Sequence, residues 1–281
     1  MSEHFCTFDT AWCPGCGNFA ILDSLKTALE ELGLQPHQVL SAAGIGQAAK
    51  TPQYISANRF CGLHGRALPA AIAAKIVNPG LTVVVDSGDG DSYGEGGNHF
   101  LHNIRRNVNI AHFVHDNQIY GLTKGQASPT TSRGHVTDTQ PDGSMNDPIN
   151  PVLVAIAAGA GFVARAFTGN REQLVDLMKQ AITYPGYALV DILQPCVSFN
   201  KDNTFVDYKA RTYTPEAHDP SNKAAALMLA AQDEDRIPLG VLYRADRADF
   251  HSRHPVLHDG TSLAGQGNDP AVLKELIAAF V

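Results

Sequence analysis

Apolar positions along the chain fall into two patterns, short apolar runs and longer stretches with helical spacing. The apolar runs predict strands at residues 39–43, 81–85, 108–114, 162–167, 188–193 and 239–243. Helical spacing predicts helices after residue 17 and at residues 70–76, 93–105, 149–159, 172–182, 222–232 and 271–280. This alternation of strands and helices predicts an α/β fold with a doubly wound, mostly parallel sheet.

The composition changes near residue 200. Residues 1–200 carry the regular alternation, and we predict one domain there. Residues 201–220 are rich in Asp, Asn, Thr and Tyr, which predicts an extended arm. We therefore expect residues 201–281 to be a C-terminal arm and extension packed on the same domain or on a partner. A polar loop is predicted at residues 132–148, and a loop of this length is often functional.

Composition and charge restrict the class of protein. The chain has 281 residues, of which 44% are hydrophobic and 17% charged, so it can bury a large globular core. Its net charge of −7 argues against nucleic acid as a partner. The chain has no apolar run near the ~20 residues that span a bilayer, and its N-terminus is unlike a secretory signal. We predict a cytoplasmic protein that uses its five cysteines for redox or metal chemistry rather than for disulfides.

Two polar turns follow neighbouring predicted strands. Gly88-Asp89-Gly90-Asp91 follows one strand, and Asn117 follows the next. The carboxyl ends of strands form the ligand-binding edge of an open α/β sheet. Oxygen atoms of Asp89, Asp91 and Asn117 suit Mg²⁺ bound to a phosphate, and glycines let the main chain approach an anion. These residues predict a metal that clamps a diphosphate, while Gly-Asp-Gly alone also fits a simple tight turn.

A cysteine pair lies in Trp12-Cys13-Pro14-Gly15-Cys16-Gly17, just before the first predicted helix. Three kinds of site use such a pair. A thioredoxin-like redox motif has this form and lowers the pKa of its first thiol. A structural zinc site needs a second ligand pair at matching spacing, which the sequence lacks. An iron–sulfur site takes two further ligands from elsewhere in the chain.

The spacing of the polar turns resembles the thiamine diphosphate-binding motif, since twenty-six residues separate Gly90 from Asn117. The resemblance implies that Asp89, Asn117 and the main chain of Ile119 bind Mg²⁺.

The longer sequence around these turns resembles the β subunit of 2-oxoacid:ferredoxin oxidoreductases of the pyruvate or 2-oxoglutarate type. The resemblance is densest over residues 12–196 and includes Gly96-Gly97-Asn98-His99, Arg105-Arg106-Asn107-Val108 and the stretch from Tyr120 to Thr130. It implies a sheet of the thiamine diphosphate-binding type. The residues that it implies for cofactor binding are Gly44, Ile45, Gly46, His64, Gly88, Asp89, Gly90, Asp91, Asn117, Ile119, Tyr120, Gly121, Leu122 and Thr123.

The same resemblance implies that Cys13, Cys16 and Cys196 are ligands of a [4Fe–4S] cluster. The better-known family pattern has a further cluster cysteine directly after Gly-Ile-Gly, where this chain has Gln47. Cys61 could replace that ligand or could be a small buried apolar residue. The fourth cluster ligand therefore stays open.

Lys50 and Ile45 are the candidate catalytic residues. Lys50 matches a family lysine that resembles a recognition residue for the substrate carboxylate, and an ordinary solvated lysine is the alternative. His64 lies in a His-Gly-Arg stretch that the resemblance places near the diphosphate, whereas a lone histidine is usually structural. Leu122 and Lys50 are the candidate residues for selecting between 2-oxoacid substrates.

The resemblance implies an enzyme that uses thiamine diphosphate, Mg²⁺ and a [4Fe–4S] cluster. The reaction would be oxidative decarboxylation of a 2-oxoacid, pyruvate or 2-oxoglutarate, with coenzyme A to acyl-CoA, CO₂ and reduced ferredoxin. Because the sequence has no second α/β domain to activate the aminopyrimidine, we expect an α-type partner with a pyrimidine-binding domain, in a heterodimer or a dimer of heterodimers. The alternatives are a non-oxidative thiamine-dependent lyase or ligase without a working cluster, and a thiol redox adaptor.

Overall fold

A seven-stranded sheet forms the centre of the computed structural model, which describes residues 4–232, 235–267 and 269–280. The described residues form eleven strands, and seven of them belong to this sheet. The eleven are β1 (Val39–Ala43), β2 (Asn58–Cys61), β3 (Thr82–Gly88), β4 (Ile110–Asp116), β5 (Ile119–Tyr120), β6 (Gln126–Ala127), β7 (Phe162–Phe167), β8 (Tyr187–Leu193), β9 (Thr212–Tyr213), β10 (Ile237–Pro238) and β11 (Gly240–Arg244). The order in the main sheet is β11-β7-β8-β4-β3-β1-β2, and every pair is parallel except β11 with β7. The prediction of a mostly parallel α/β sheet is confirmed.

Helices cover both faces of this sheet. They are α1 (Asn18–Glu31), α2 (Thr51–Tyr54), α3 (Ala67–Val77), α4 (Gly97–Arg106), α5 (Pro151–Ala157), α6 (Arg171–Thr183), α7 (Phe205–Arg211), α8 (Lys223–Ala230) and α9 (Pro270–Ala278), and a π-helical turn covers Gly90–Glu95. The side chains of β3 alternate between two apolar cores: Val84 packs with α1 and α6, while Val83 and Val85 pack with α3, α4, α5 and α8. Burial on both faces explains why the strands are apolar runs rather than alternating ones.

Local signals set the ends of several helices. The side-chain oxygen atoms of Asn150, Asn170 and Asn222 accept hydrogen bonds from main-chain N–H groups in the first turns of α5, α6 and α8. After α1, Gly33 has a φ of 70°, a conformation that glycine adopts without strain. A glycine just past the last turn thus ends the helix.

One sequence-based prediction is wrong, and one strand was not predicted. Residues 205–211 of the predicted extended arm form α7, which begins at a capping box in which Thr204 and Asp207 each accept a hydrogen bond from the other's main-chain N–H. Residues 58–61 form β2, which was not predicted because all four of its residues are exposed.

The C-terminal part contributes to the sheet through β11, whereas none of the residues of α9 is buried. The domain boundary near residue 200 stays a prediction. No helix in the described part of the chain is both long enough and apolar enough to cross a membrane.

Candidate cofactor site

The two polar turns lie side by side, because β3 and β4 are neighbours and Gly88 pairs with His115 at their carboxyl ends. Residues from these turns and from the turn after β1 line one groove. The lining residues are Ile45, Gly46, Gln47, Ala48, His64, Gly88, Asp89, Gly90, Asp91, Asn117, Ile119, Tyr120, Gly121, Leu122 and Thr123. Of the predicted site residues outside the cysteines, Gly44 and Lys50 do not line the groove. Gly44 is buried beside it, and Lys50 lies two residues beyond Ala48 and is partly exposed.

Asp89 is buried at the base of the groove, where two hydroxyl groups hold its carboxylate. Ser128 Oγ donates a 2.5 Å hydrogen bond to Oδ2 of Asp89, and Thr130 Oγ1 lies 2.8 Å from the same oxygen. Burial raises the pKa of Asp89 to about 6, while the two hydroxyl bonds act in the opposite direction. A bound cation would favour the charged form, which is the form that a metal site needs.

Thr130 also bridges Asp89 to a second buried acid. Its Oγ1 lies 2.9 Å from Oδ1 of Asp116, whose pKa is raised well above its usual range by burial and by the nearby charges of Asp191 and Asp89. A threonine hydroxyl has one hydrogen to donate. All three groups are satisfied when Asp116 is protonated and donates to Thr130, which then donates to Asp89. Neither hydroxyl residue was predicted individually, although both lie in the matched stretch from Tyr120 to Thr130.

The turn after β4 is fixed by its own side chains. Oδ1 of Asn117 accepts a 3.0 Å hydrogen bond from the N–H of Ile119, and Oδ1 of Asp116 accepts one from the N–H of Gln118. Gln118 has a φ of 58°, which is uncommon for a residue other than glycine. Asn200 Nδ2 donates to the main-chain oxygen of Asn117 at 3.1 Å. An amide oxygen has two lone pairs, so Asn117 can accept this turn's hydrogen bond and still bind a metal ion.

Three oxygen atoms of the groove residues fit Mg²⁺ as ligands. Asp89 offers a carboxylate oxygen, Asn117 an amide oxygen and Ile119 a main-chain carbonyl, which are hard oxygen ligands that this ion prefers. The described residues contain no group of three or more His, Cys, Asp or Glu side chains placed to hold a metal ion. The predicted magnesium set includes only one side chain of those types, so this finding does not bear on it.

Asp91 joins the glycine turn after β1 to the rest of the site. Its Oδ1 accepts hydrogen bonds from the main-chain N–H groups of Ile45, at 3.0 Å, and Gly65, at 2.8 Å. Nδ1 of His64 lies 3.6 Å from the same oxygen. Burial raises the pKa of Asp91, and the two N–H bonds and His64 oppose this effect. Asp91 therefore shapes the groove through the main chain around it.

Tyr120 explains why residue 90 is glycine. A Cβ atom on Gly90 would lie 2.3 Å from Cε1 of the Tyr120 ring, which real structures do not allow. The Tyr120 hydroxyl donates to Oε2 of Glu95 at 3.2 Å. Burial and the charge of Glu95 raise the pKa of this phenol. The ring thus joins the turn after β3 to the turn after β4.

Three cysteines line a second pocket. Cys13 and Cys16 lie just before α1, and Cys196 follows β8. Ser198 Oγ lies 3.1 Å from Sγ of Cys13, and Gln194 Nε2 donates to Sγ of Cys16 at 3.4 Å. Burial raises the pKa of Cys16, and the nearby thiol groups of Cys196 and Cys13 act in the same direction.

The other cysteines lie elsewhere. Cys61 ends β2, is exposed and does not line this pocket, and Cys6 is also exposed. The interpretation of Cys61 as a small buried apolar residue is therefore wrong.

The groove and the cysteine pocket are adjacent. Gln47, Asn117 and Gly121 line both of them. The indole Nε1 of Trp12 donates a 2.8 Å hydrogen bond to the main-chain oxygen of Gln47, which ties the cysteine loop to the glycine turn. The structure thus brings together two sets of residues that are far apart in the sequence.

Comparisons with known proteins agree with this arrangement. Residues 37–192 match the family model described as thiamine pyrophosphate enzyme, C-terminal TPP binding domain, and residues 196–259 match the model for the C-terminal part of the pyruvate ferredoxin oxidoreductase beta subunit. The chain is 44% identical to 2-oxoacid:ferredoxin oxidoreductase 2, subunit beta, of Aeropyrum pernix, over 86% of this chain and 82% of that one. It is 39% identical to the corresponding beta subunit of Saccharolobus solfataricus, over 91% of this chain and 92% of that one.

A solved structure is also similar. It is 2-oxoglutarate:ferredoxin oxidoreductase from Magnetococcus marinus with 2-oxoglutarate, coenzyme A and succinyl-CoA bound. The TM-score is 0.91 at 36% identity, covering 98% of this chain and 94% of that chain. The resemblance inferred from the motifs is confirmed, and the chain belongs to the family of 2-oxoacid:ferredoxin oxidoreductase β subunits.

Proposed function

We propose that this β subunit takes part in the oxidative decarboxylation of 2-oxoglutarate or pyruvate, with coenzyme A as acyl acceptor and ferredoxin as electron acceptor. One observation carries the proposal. The groove with the magnesium-type oxygen donors and the pocket with three cysteines share Gln47, Asn117 and Gly121 in their linings. An electron donor held in one and an acceptor held in the other would be neighbours.

The groove residues fit thiamine diphosphate with Mg²⁺. Asp89, Asn117 and the carbonyl of Ile119 would hold the metal, which in turn would hold the diphosphate. When bound, thiamine diphosphate supplies the chemistry that cleaves the bond between the 2-oxoacid carboxylate and its ketone carbon. Ser128 and Thr130 keep the Asp89 carboxylate in place through their hydroxyl groups.

The second pocket fits an iron–sulfur cluster. Cysteine thiolates are the usual ligands of such clusters, and three cysteines from two separate segments line this pocket. Because each iron of a cluster takes its own ligand, the ligands of a cluster lie farther apart than those of a single ion. Cys13, Cys16 and Cys196 would hold the cluster, which would supply one-electron chemistry between the groove and ferredoxin.

A partner subunit is needed to close the groove. The chain alone encloses about 40 Å³ there, whereas small-molecule sites enclose roughly 300–1,000 Å³. We propose that an α-type subunit with a pyrimidine-binding domain covers the groove, in a heterodimer or a dimer of heterodimers. Leu122, which is 38% exposed at the groove, would then face the substrate. Lys50, which lies outside the groove lining, stays the candidate residue for binding the substrate carboxylate.

The test is acceptor reduction by the anaerobically purified complex of this chain with its α-type partner. We expect ferredoxin reduction that requires a 2-oxoacid, coenzyme A and thiamine diphosphate, with 2-oxoglutarate and pyruvate compared as substrates. A Cys13→Ser variant should lose this activity, whereas Cys6→Ser, at an exposed cysteine outside the pocket, should keep it. Release of CO₂ without acceptor reduction would instead support a non-oxidative thiamine enzyme.

A further inference from the structure

The cysteine pocket offers three thiolates, while a [4Fe–4S] cluster has a fourth iron that needs a ligand. Cys61 and Cys6, the remaining cysteines, are exposed and do not line the pocket. The fourth position is therefore open to a group other than cysteine. This inference rests on the proposed cluster.

Gln47 lines the pocket that would hold this iron. It lines the pocket on the wall formed by the glycine turn, a third chain segment beside the two that carry the cysteines. Its side-chain Oε1 is buried, and no described group hydrogen-bonds to it. The Trp12 indole holds the main-chain oxygen of Gln47 at 2.8 Å, which fixes this residue next to the loop that carries Cys13.

Three other polar side chains in the pocket already have a hydrogen-bond partner at one of their atoms. The amide of Gln194 donates to Sγ of Cys16, and the hydroxyl of Ser198 lies 3.1 Å from Sγ of Cys13. Oδ1 of Asn18 lies 2.8 Å from Nδ1 of His115. Oε1 of Gln194 also has no partner among the described groups, but it belongs to an amide that already donates to Sγ of Cys16.

We propose that three cysteines bind the cluster of this chain and that its fourth iron faces the amide oxygen of Gln47. A neutral amide oxygen is a weaker iron ligand than a thiolate and carries no charge. The fourth iron should therefore be labile. Because Gln47 also lines the cofactor groove, this iron would be the one on the side of the electron donor.

Oxidation should therefore release the fourth iron. Ferricyanide takes one electron from a [4Fe–4S]²⁺ cluster, and the iron without a cysteine ligand leaves as Fe²⁺. A [3Fe–4S]⁺ cluster remains. The experiment is a ferricyanide titration of the anaerobic complex with its α-type partner, followed by iron analysis and electron paramagnetic resonance. The wild type should lose about one of its four irons and show the [3Fe–4S] signal.

Three variants make the test specific. Gln47→Cys supplies a fourth thiolate and should retain its iron under the same oxidation. Gln47→Glu supplies a charged oxygen and should lose iron more slowly than the wild type, which keeps the test decisive if the cysteine variant does not fold. Cys61→Ala should behave as the wild type does.

Two results would overturn the inference alone. In the first, the oxidised wild type keeps all of its iron. In the second, the Cys61→Ala variant loses its fourth iron, while the Gln47 variants hold iron no differently from the wild type. Absence of iron from a thiamine-loaded complex would overturn the proposed cluster as well.

Discussion

The carboxylate of Asp91 occupies the space that a side chain at Gly44 would need. A Cβ atom built on Gly44 would lie 2.1 Å from Oδ2 of Asp91. The other oxygen of the same carboxylate accepts the N–H of Ile45, the next residue along the chain. The turn after β1 and the turn after β3 are therefore fitted to each other at this contact, although Asp91 lies 46 positions after Ile45 in the sequence.

Replacement of Gly44 by alanine should weaken thiamine diphosphate binding by about tenfold or more, because the methyl group would displace Asp91 and release the turn that forms one wall of the groove. Isothermal titration of the complex with the cofactor and Mg²⁺ measures the change. Gly97→Ala is the matched control, since a Cβ there meets no described atom within 4 Å beyond its chain neighbours and its own helix backbone. Equal affinities for the two variants would contradict the role of this contact.

Replacement of Asp89 by asparagine should reduce magnesium-dependent cofactor binding by about 100-fold, because the change removes the only charged donor of the proposed metal set while keeping the size of the side chain. Titration with Mn²⁺ followed by electron paramagnetic resonance reports the metal affinity directly. Asp176→Asn, at an exposed position on α6, should leave it unchanged. Unaltered metal binding in the Asp89 variant would place the metal elsewhere.

Replacement of Thr130 by valine should lower metal affinity by about tenfold, because valine keeps the shape but removes the hydroxyl that bridges Asp89 and Asp116. Thr130→Ser should restore the affinity, which a purely steric role would not predict. Thr183→Val, at an exposed position on α6, is the control for loss of a hydroxyl. The same Mn²⁺ titration serves for all three variants.

The buried His112 should make stability depend on pH. Burial, with a smaller effect of His115, lowers the pKa of His112 to about 3, whereas the unfolded chain has the usual value of about 6.5. Between these values the unfolded state binds a proton that the folded state does not, so acid favours unfolding. From pH 7 to pH 5 this one group should cost about 2 kcal/mol of unfolding free energy.

The measurement is urea unfolding of the wild type and of His112→Gln at both pH values. Glutamine can still hydrogen-bond to Ser87 and Tyr187, the neighbours of His112, but it does not titrate. The wild type should lose stability relative to the variant as the pH falls. Parallel pH curves for the two proteins would show that His112 does not titrate differently on folding.

The sheet and the groove were predictable because their signals are local. Buried parallel strands are apolar runs, and Asp89 and Asn117 each directly follow one, so the sheet brings them together. The capping box of Thr204 and Asp207 was equally local. Its helix was missed because the polar composition around it indicated an extended arm.

The remaining parts of the site depend on contacts that no spacing rule encodes. Ser128 and Thr130 are hydroxyl residues in a polar stretch, and only the fold shows that both reach Oδ2 of Asp89. Likewise, Gln47 lies 31 residues from Cys16 in the sequence, and the adjacency of the groove and the cysteine pocket appears only when the turns are in place.

The most direct test of electron transfer between the two sites is freeze-quench electron paramagnetic resonance of the anaerobic, thiamine-loaded complex, mixed with 2-oxoacid and coenzyme A but without ferredoxin. We predict a reduced-cluster signal in the wild type that is absent from Cys13→Ser. Release of CO₂ while the wild-type cluster stays oxidised would contradict the proposal that the cysteine pocket takes electrons from the neighbouring groove.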